Sequence, residues 1–446
     1  MANHPFEKFN LEPSLIDAVK DLNFDQPTEI QSRVIPKIIK QVNLIGQSQT
    51  GTGKSHAFLL PLINSIDTEY KEPQAIVVAP TRELAQQLFD VASHITKFKE
   101  DVSVKLFIGG TDIEKDRSRA KNQPQLVIGT PTRINDLAKH GDLHVHLASY
   151  LVIDEADLMI DLGLMDEVDY VATRLDEKAH IAVFSATIPK SLHPFLNKYL
   201  ENPDFVEIEN TEKNKKNIEF YLIPTKGEAK IEKTLKLMDI LNPYLCIIFC
   251  NSRDSADELA NQLNAAGLKV GMIHGGLSPR ERKQQMKRIR NLEFQYVIAS
   301  DLASRGIDID GVSHVINFDV PNDIDFFTHR VGRTGRGQYK GVAITLYSPD
   351  EENNVALIEQ RGYHFENVDI KDDELKAIKA HNLRQSRKNK DDHLTNQLKY
   401  KVKSNKKKVK PGYKKKFKRD LDDLKRKERK QFSKQQSRQE RKNRKG

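Results

Sequence analysis

The sequence predicts two consecutive α/β domains, each built on a mostly parallel β-sheet, followed by a basic extension. Short β-branched apolar runs alternate with helical patterns in two successive series, which is typical of parallel sheets covered by helices. A polar segment separates the two series, and apolar periodicity ends near residue 381. A chain of 446 residues is also too long for one ordinary core.

The apolar runs give the predicted strands and the domain boundaries. The first series is NLIGQ (43–47), QAIVVAP (74–80), QLVIGTP (125–131), YLVIDEAD (150–157) and HIAVFSAT (180–187). The second series is LCIIFCNS (245–252), KVGMIHGG (269–276), YVIASD (296–301), HVINFD (314–319) and VAITLY (342–347). We predict an N-terminal element over 1–33 that belongs to the first domain, the body of that domain over 34–208, a linker over 209–217, a second domain over 218–366 and a mostly disordered tail over 367–446.

Charge is distributed unevenly along the chain. Residues 381–446 contain 27 Lys and Arg against 7 Asp and Glu, a net charge of +20. The whole chain carries +9, so residues 1–380 carry −11. This asymmetry indicates a polyanionic partner for the tail, either nucleic acid or an anionic membrane surface. The membrane is disfavoured because no amphipathic apolar face accompanies the charge. A tail that only aids solubility is the other alternative.

Neither a targeting signal nor a membrane span is expected. The start, MANHPFEKFN, lacks the basic residues and apolar run of a secretory signal, so we expect a cytoplasmic protein. No run approaches the roughly 20 apolar residues that cross a bilayer. The two cysteines, Cys246 and Cys250, are predicted to be buried strand residues, because no further Cys or His supplies the other ligands of a metal site.

A glycine-rich turn, SQTGTGKS (48–55), follows an apolar strand and precedes a helical pattern. Backbone N–H groups in such a turn point at phosphates; Lys54 can reach the β and γ groups, and the Ser55 hydroxyl can hold Mg²⁺. The usual pattern has Gly where this chain has Ser48, and an ordinary strand-to-helix turn is the alternative. The predicted nucleotide-binding residues of the turn are Ser48, Gln49, Thr50, Gly51, Thr52, Gly53, Lys54 and Ser55.

Two adjacent carboxylates, Asp154 and Glu155, follow the apolar strand of VIDEAD. They are predicted to lie at the carboxyl edge of the sheet, where ligand sites of α/β proteins form. Asp154 can then hold Mg²⁺, in part through water, and Glu155 can orient or deprotonate an attacking water. With Lys54, they are the predicted catalytic residues of the first domain.

Together with SAT (185–187) and HRVGRTGRG (329–337), these motifs resemble the DEAD-box RNA helicases of helicase superfamily 2. The resemblance covers roughly residues 6–365 in the family's order. It implies two tandem RecA-like domains, ATP and Mg²⁺ as ligands, and RNA as the partner. It also implies that Phe9 stacks on adenine and that Gln31, in FDQPTEIQ (24–31), binds the edge of the base. The alternative is that Phe9 is a core residue and Gln31 a surface helix residue.

The resemblance assigns the remaining residues by role. The implied RNA-binding residues are Arg82, Gly110, Thr130 and Arg133 in the first domain and Asn251, Arg253, Gly276, Ser300 and Arg305 in the second. The implied coupling residues, which link hydrolysis to strand separation, are Asp157, Ser185, Thr187 and His329. Asp308 and Arg330 are expected near the nucleotide. Arg333 and Arg336 are expected to act as arginine fingers, and their three-residue spacing from Arg330 predicts one helix face.

The predicted function is an RNA-stimulated ATPase that unwinds short RNA duplexes by closing two domains. An ATP-gated RNA clamp or annealing chaperone is the main alternative, and a DNA helicase is a second one. Within the family, the short spacers and the Lys-rich tail look most like the bacterial cold-shock helicases. We therefore expect roles in cold shock, ribosome assembly, mRNA turnover or translation, with ribosomal particles, RNA-decay factors or cold-shock proteins as further partners.

Overall fold

The computed structural model describes residues 4–48, 51–208, 217–225, 229–301, 309, 311–335 and 340–379. Within these ranges the chain folds into two sheets flanked by helices, which confirms the predicted fold class. No helix in the described ranges is long and apolar enough to span a membrane.

The first sheet has seven strands in the order β3-β4-β2-β5-β6-β1-β7, and every neighbouring pair is parallel. The strands are β1 Leu44–Gln47, β2 Ala75–Val78, β3 Val104–Phe107, β4 Leu126–Gly129, β5 Tyr150–Ile153, β6 His180–Ser185 and β7 Asp204–Glu207. The helices are α1 Pro13–Asp21, α2 Glu29–Ile39, α3 Lys54–Ser65, α4 Arg82–Ile95, α5 Ile113–Ala120, α6 Pro131–Lys139, α7 Ala156–Asp161, α8 Met165–Ala172 and α9 His193–Tyr199.

The second sheet has eight strands in the order β10-β11-β9-β12-β13-β8-β14-β15. The strands are β8 Ile218–Pro224, β9 Cys246–Cys250, β10 Val270–Ile273, β11 Tyr296–Ser300, β12 His314–Asn317, β13 Gly341–Tyr347, β14 Glu366–Lys371 and β15 Glu374–Ala377. The helices described here are α10 Lys230–Ile240, α11 Arg253–Ala265, α12 Pro279–Arg290, α13 Ile324–Val331 and α14 Glu352–Gln360.

Apolar side chains pack on both faces of each sheet, as buried parallel strands require. The N-terminal element belongs to the first domain, because Phe6, Leu15 and Val19 are in the same core as α3 and α4. Cys246 and Cys250 are free and buried in β9, which confirms their prediction as strand residues. Burial raises the pKa of Cys250 to about 12.

The predicted end of the second domain at residue 366 is wrong. Strand β14 begins at Glu366 and pairs in parallel with β8, and the Lys233 ammonium lies 2.6 Å from the Asp369 carboxylate within β14. The apolar pattern of this segment is weak because Val368 is its one buried residue. The predicted linker, apart from Asn217, and the tail from residue 380 onward lie outside the described residues.

Candidate active site and nucleic-acid interface

The predicted nucleotide residues of the first domain meet at the carboxyl edge of its sheet. Strands β5, β6 and β1 are neighbours, and they are followed by the DEAD segment, SAT and the glycine-rich turn respectively. The Ser48 N–H donates to the Ser185 carbonyl at 3.0 Å, which joins the glycine-rich turn directly to SAT. The parallel topology therefore places three motifs that are far apart in sequence at one edge.

A buried ion pair connects the glycine-rich turn to the DEAD segment. The Lys54 ammonium donates to Glu155 Oε1 and to the Ser48 carbonyl, both at 3.0 Å, although Lys54 is only 6% exposed. Burial alone would lower the pKa of Lys54, but the charges of Glu155 and Asp154 outweigh it and the pKa is raised. Lys54 is thus held as a cation beside two carboxylates.

At Asp154 the effect of burial on the pKa outweighs that of the neighbouring charges, which is the reverse of the balance at Lys54. Burial raises its pKa to about 7 and the Glu155 charge adds to the rise, while Lys54 opposes it. A buried carboxylate that shares one cation with a neighbouring acid is a favourable place for further positive charge. Among the described residues no group of three or more His, Cys, Asp or Glu could hold a metal by itself. Mg²⁺ that takes one carboxylate, the Ser55 hydroxyl, water and nucleotide phosphates fits this set of oxygen donors.

Glu155 adopts an unusual backbone conformation. Its φ of 50° and ψ of 52° lie in the left-handed region, and Glu155 directly precedes α7. For a residue other than glycine this conformation costs of order 1 to 3 kcal/mol, and such strain is concentrated at functional sites. The strain supports the catalytic assignment of Glu155.

Gln31 contacts the glycine-rich turn from α2. Its amide donates to the Gly53 carbonyl at 3.4 Å, and its Oε1 accepts the Thr28 N–H at 2.9 Å. Gln31 is buried, so its interpretation as a surface residue is wrong. Gly53 has a φ of 95°, and a Cβ there would lie 2.7 Å from the Gln31 amide. The Thr52 hydroxyl lies 3.2 Å from that of Ser48, whereas Gln49 and Thr50 are outside the described residues.

Phe9 is a buried residue of the first core, where its ring meets that of Phe6 edge-on at 5.7 Å. This packing agrees with the core alternative that the sequence left open. Stacking of Phe9 on adenine stays a prediction.

The coupling residues form one contact that includes both domains. The Asp157 N–H donates to the Ser185 hydroxyl at 3.1 Å, and the Thr187 N–H and hydroxyl each donate to Asp157 Oδ2 at 3.1 Å. His329 of the second domain places its Nε2 3.6 Å from the same oxygen. The four predicted coupling residues therefore lie together, with Asp157 at their centre.

Arg330 does not lie ready for a nucleotide. Its guanidinium donates to Asp301 Oδ1 and Oδ2 at 2.5 and 2.7 Å, to the Asp319 carbonyl at 2.6 Å, and to the Asn251 and Asn317 amide oxygens at 2.6 and 3.4 Å. These bonds use all five N–H donors of the guanidinium. Arg330 therefore fixes the second domain internally, and its contact with ATP stays a prediction.

The predicted single helix face for the three arginines is wrong. Helix α13 ends at Val331, so Arg333 lies in the turn that follows it, before Gly335 with its φ of 68°. Arg333 is buried. Arg336 and Asp308 are outside the described residues. The roles of Arg333 and Arg336 as arginine fingers stay predictions.

The predicted RNA residues of the first domain surround the Gly109–Gly110 pair. A Cβ at Gly110 would lie 2.3 Å from the Arg82 guanidinium, so the absence of a side chain lets this arginine lie against the backbone. The Thr130 hydroxyl accepts the Gly109 N–H at 3.3 Å. Arg82, Gly110 and Thr130 are thus brought together at the carboxyl edge.

Arg133 contacts protein rather than solvent. Its guanidinium is buried, pairs with Asp116, and donates to the Thr111 carbonyl and hydroxyl at 2.9 and 3.2 Å. In this structure Arg133 holds the loop after Gly110, and its contact with RNA phosphate stays a prediction. Asp116 and Thr111 were not identified from the sequence, because a lone acid in a polar helix gives no signal of its buried partner.

The second domain repeats the arginine and glycine arrangement. Arg253 begins α11, and a Cβ at Gly276 would lie 2.5 Å from its guanidinium. Ser300 ends β11 and is buried. Asn251 is occupied by Arg330 and by the Val320 carbonyl, which its amide reaches at 2.8 Å. Arg305 lies outside the described residues.

An ion pair between the domains was also missed. Arg282 of α12 contacts Glu83 of α4, the residue after Arg82. Both side chains are largely buried. No sequence pattern links two residues that are 199 positions apart.

Family comparisons agree with this arrangement. A family model described as DEAD/DEAH box helicase matches residues 28–195, and one described as helicase conserved C-terminal domain matches residues 229–338. The chain is 79% identical over 401 residues to the DEAD-box ATP-dependent RNA helicase CshB of Staphylococcus aureus, covering 90% of each chain. It is 47% identical to CshB of Bacillus subtilis, over 97% of this chain and 99% of that protein.

Solved structures give the same result. The chain is similar to Saccharomyces cerevisiae Dbp5 bound to RNA and ADP BeF3, with a TM-score of 0.75 and 29% identity over 82% of this chain and 96% of that one. The expected resemblance to DEAD-box RNA helicases is confirmed, and within that family the chain is similar to the CshB type.

Proposed function

Because the chain belongs to the DEAD-box family of RNA helicases, we propose that it is an RNA-stimulated ATPase that unwinds short RNA duplexes by closing its two domains on ATP and RNA. The observation that carries this proposal is the contact at Asp157. One carboxylate of the first domain accepts hydrogen bonds from SAT and lies beside His329 of the second domain.

In the nucleotide site, Lys54 and Glu155 neutralise each other before ATP binds. The β and γ phosphates compete with Glu155 for the Lys54 ammonium. Once Lys54 turns to the phosphates, the Glu155 carboxylate is released to orient or deprotonate the attacking water. Asp154 and Ser55 would hold Mg²⁺, which when bound would supply positive charge beside the transferred phosphate. Arg333 and Arg336 add positive charge from the second domain.

Closure follows from the division of these residues between domains. Lys54, Asp154 and Glu155 are in the first domain, and the two arginines are in the second, so hydrolysis requires both. Arg82 and Arg253 bring matching RNA contacts to the two carboxyl edges. ATP and RNA therefore favour the same closed state, and each strengthens binding of the other. Hydrolysis then reopens the cleft and releases the strand.

The basic tail adds affinity for RNA without sequence selectivity. Its net charge of +20 over residues 381–446 releases counterions from the phosphate backbone, which makes binding steeply dependent on salt. The relatives are RNA helicases by name, and the Lys-rich tail suits RNA of any sequence; on this basis the proposed role is to relieve RNA structure in the cold, in ribosome assembly, mRNA turnover or translation. Ribosomal particles, RNA-decay factors and cold-shock proteins are the corresponding partners, and the cytoplasm is the expected compartment.

The test is ATP hydrolysis with and without RNA. Wild type should be stimulated by RNA, and Glu155→Gln should lose about 10²-fold or more of the stimulated rate because it removes the base. Glu177→Gln is the matched control, since Glu177 is an exposed acid just before β6, at the amino edge. A chain truncated after residue 380 should keep hydrolysis and bind RNA more weakly.

Three results would contradict the proposal. An ATP hydrolysis rate that is the same with and without RNA would refute the coupling of the two ligands. Equal stimulation by DNA would favour a DNA helicase. RNA-stimulated hydrolysis with no separation of a short duplex would favour an ATP-gated clamp or annealing chaperone.

A further inference from the structure

One face of helix α12 (Pro279–Arg290) has a row of positive charge that the active site does not use. Four exposed cations, Arg280, Lys283, Lys287 and Arg290, follow one another at spacings of three, four and three residues. At 3.6 residues per turn they fall within about 80° of the helix circumference, and they extend about 15 Å along its axis. We refer to these four residues as the cationic face.

The packing of α12 fixes the orientation of this face. Met286 and Ile289 are buried in the core with strands β9 and β11, and the centre of the row of cations lies roughly 110° around the helix from them. The cationic face therefore points outward. Among the described side chains of the helix, the other exposed residues are Glu281 and Gln284, so these include no exposed apolar side chain that could enter a membrane.

The four cations are not neutralised by the protein. In the ranges that the structure describes, none of them has an ion-pair partner, whereas the two other arginines of the helix are both occupied. Arg282 pairs with Glu83 of the first domain, and Arg288 pairs with Glu293 and covers the Phe294 ring at 4.5 Å. Four neighbouring cations repel one another, and a polyanion that lies across them removes the repulsion.

The cationic face begins where the predicted RNA contacts of both domains meet. Helix α12 starts three residues after Gly276, against which Arg253 lies. In its first turns, Arg282 is paired with Glu83, the neighbour of Arg82. The cationic face therefore continues from the carboxyl edges toward the outside of the second domain.

We propose that the cationic face of α12 is a second RNA-binding surface, which holds the backbone of a duplex that flanks the strand in the core groove. This inference rests on the proposed function, because the core groove supplies the strand. A straight row of cations on a rigid helix matches the regular phosphates of a duplex, whereas a single strand would have to be ordered first. Lys and Arg side chains that contact phosphate read no base sequence.

The test compares two RNAs and three forms of the full chain. One RNA is a single strand just long enough to fill the core groove, and the other is the same strand extended by a duplex. The altered protein has Arg280→Gln, Lys283→Gln, Lys287→Gln and Arg290→Gln, which keep helix propensity and remove the charge. The control replaces four exposed lysines of the first domain, Lys40, Lys97, Lys121 and Lys178, by Gln.

The measurements are RNA-stimulated ATP hydrolysis and RNA affinity at several salt concentrations. Wild type and control should bind the duplex-extended RNA at least tenfold more tightly than the bare strand. The α12 variant should lose that gain and keep its response to the bare strand. For the extended RNA, the slope of log affinity against log salt should be smaller in magnitude by about 2 to 4. This is the change expected from losing up to four phosphate contacts at about 0.9 each.

Each other outcome overturns the inference. If the α12 variant keeps the gain from the duplex, or the control loses it equally, the cationic face is not the duplex site, although the proposed function stands. If the variant instead loses only binding to vesicles of anionic phospholipid, the partner is a membrane surface. If the bare strand fails to stimulate wild type, the proposed function fails and this inference fails with it.

Discussion

Replacement of Arg330 by Met is expected to destabilise the second domain and to leave ATP binding nearly unchanged. Arg330 is 2% exposed, and its guanidinium donates five hydrogen bonds, two of them to the Asp301 carboxylate, which is 13% exposed. Met fills much of the same volume but offers no donor. Asp301 then loses its bidentate cation, and the oxygens of Asn251 and Asp319 lose their donors.

The magnitude follows from these losses. Removing one partner of a buried ion pair costs about 3 to 5 kcal/mol, and we expect the lower end of that range because Asp301 keeps some exposure. With a urea dependence of roughly 2 kcal/mol per molar, the unfolding midpoint of the second domain should fall by about 1.5 M. The chain has no Trp, so unfolding is followed by circular dichroism.

Two further variants make the prediction refutable. Asp301→Asn combined with Arg330→Met should recover part of the loss, since the unpaired charge is gone. Arg253→Gln should leave the midpoint unchanged, because Arg253 is 62% exposed. An Arg330→Met protein with wild-type stability and an ATP KM raised tenfold would show that Arg330 acts on the nucleotide rather than on the fold.

Three more predictions concern the first domain and the thiols. Thr187→Ala removes one hydrogen bond to Asp157. The rate of duplex unwinding should fall at least tenfold, while the rate of RNA-stimulated ATP hydrolysis falls less than threefold. An equal fall in both rates would argue against a coupling role for Thr187. Lys99→Met should lower the free energy of unfolding, measured in urea, by about 3 kcal/mol, because the buried ammonium donates to three carbonyls at the end of α3. Lys97→Gln, at an exposed position, should leave that free energy almost unchanged. Since burial raises the pKa of Cys250 to about 12, its thiol is protonated at pH 8, so a disulfide reagent should label it only after unfolding.

Most strands that were predicted correctly are continuous apolar runs, with the edge strand β10 as an exception. Runs such as AIVV in β2 and CIIFC in β9 are continuous apolar segments, and every residue of each is buried. Strands β3, β7 and β14 were missed because they lie at or near sheet margins, where polar residues take part in pairing. In β14 the burial of Val368 alone cannot produce a period-two pattern. Strands β8 and β15 were also missed, because neither was recognised as an apolar run in the sequence.

The nucleotide site was predictable because its motifs are contiguous and end buried strands. Lys54, Asp154 and Glu155 meet as the parallel topology requires. The spacing of Arg330 and Arg333 was a weaker guide, because a helical spacing predicts one face only while the helix lasts. Helix α13 ends at Val331, and Arg333 lies in the turn that follows it.

Arginines show most clearly why sequence patterns alone could not complete the site. Arg82 and Arg253 each begin a helix after a central strand and lie against a glycine whose missing Cβ makes the space. Arg133 and Arg330 occur in motifs that look equally suited to phosphate, yet each is buried against a carboxylate of its own domain. A cation that already has a buried acid as partner gains little from a phosphate, because the ligand must first break that pair. Burial and internal partners therefore separate the arginines that build the RNA surface from those that can contact RNA, and by the same criterion the unpaired cations of α12 belong to the second group.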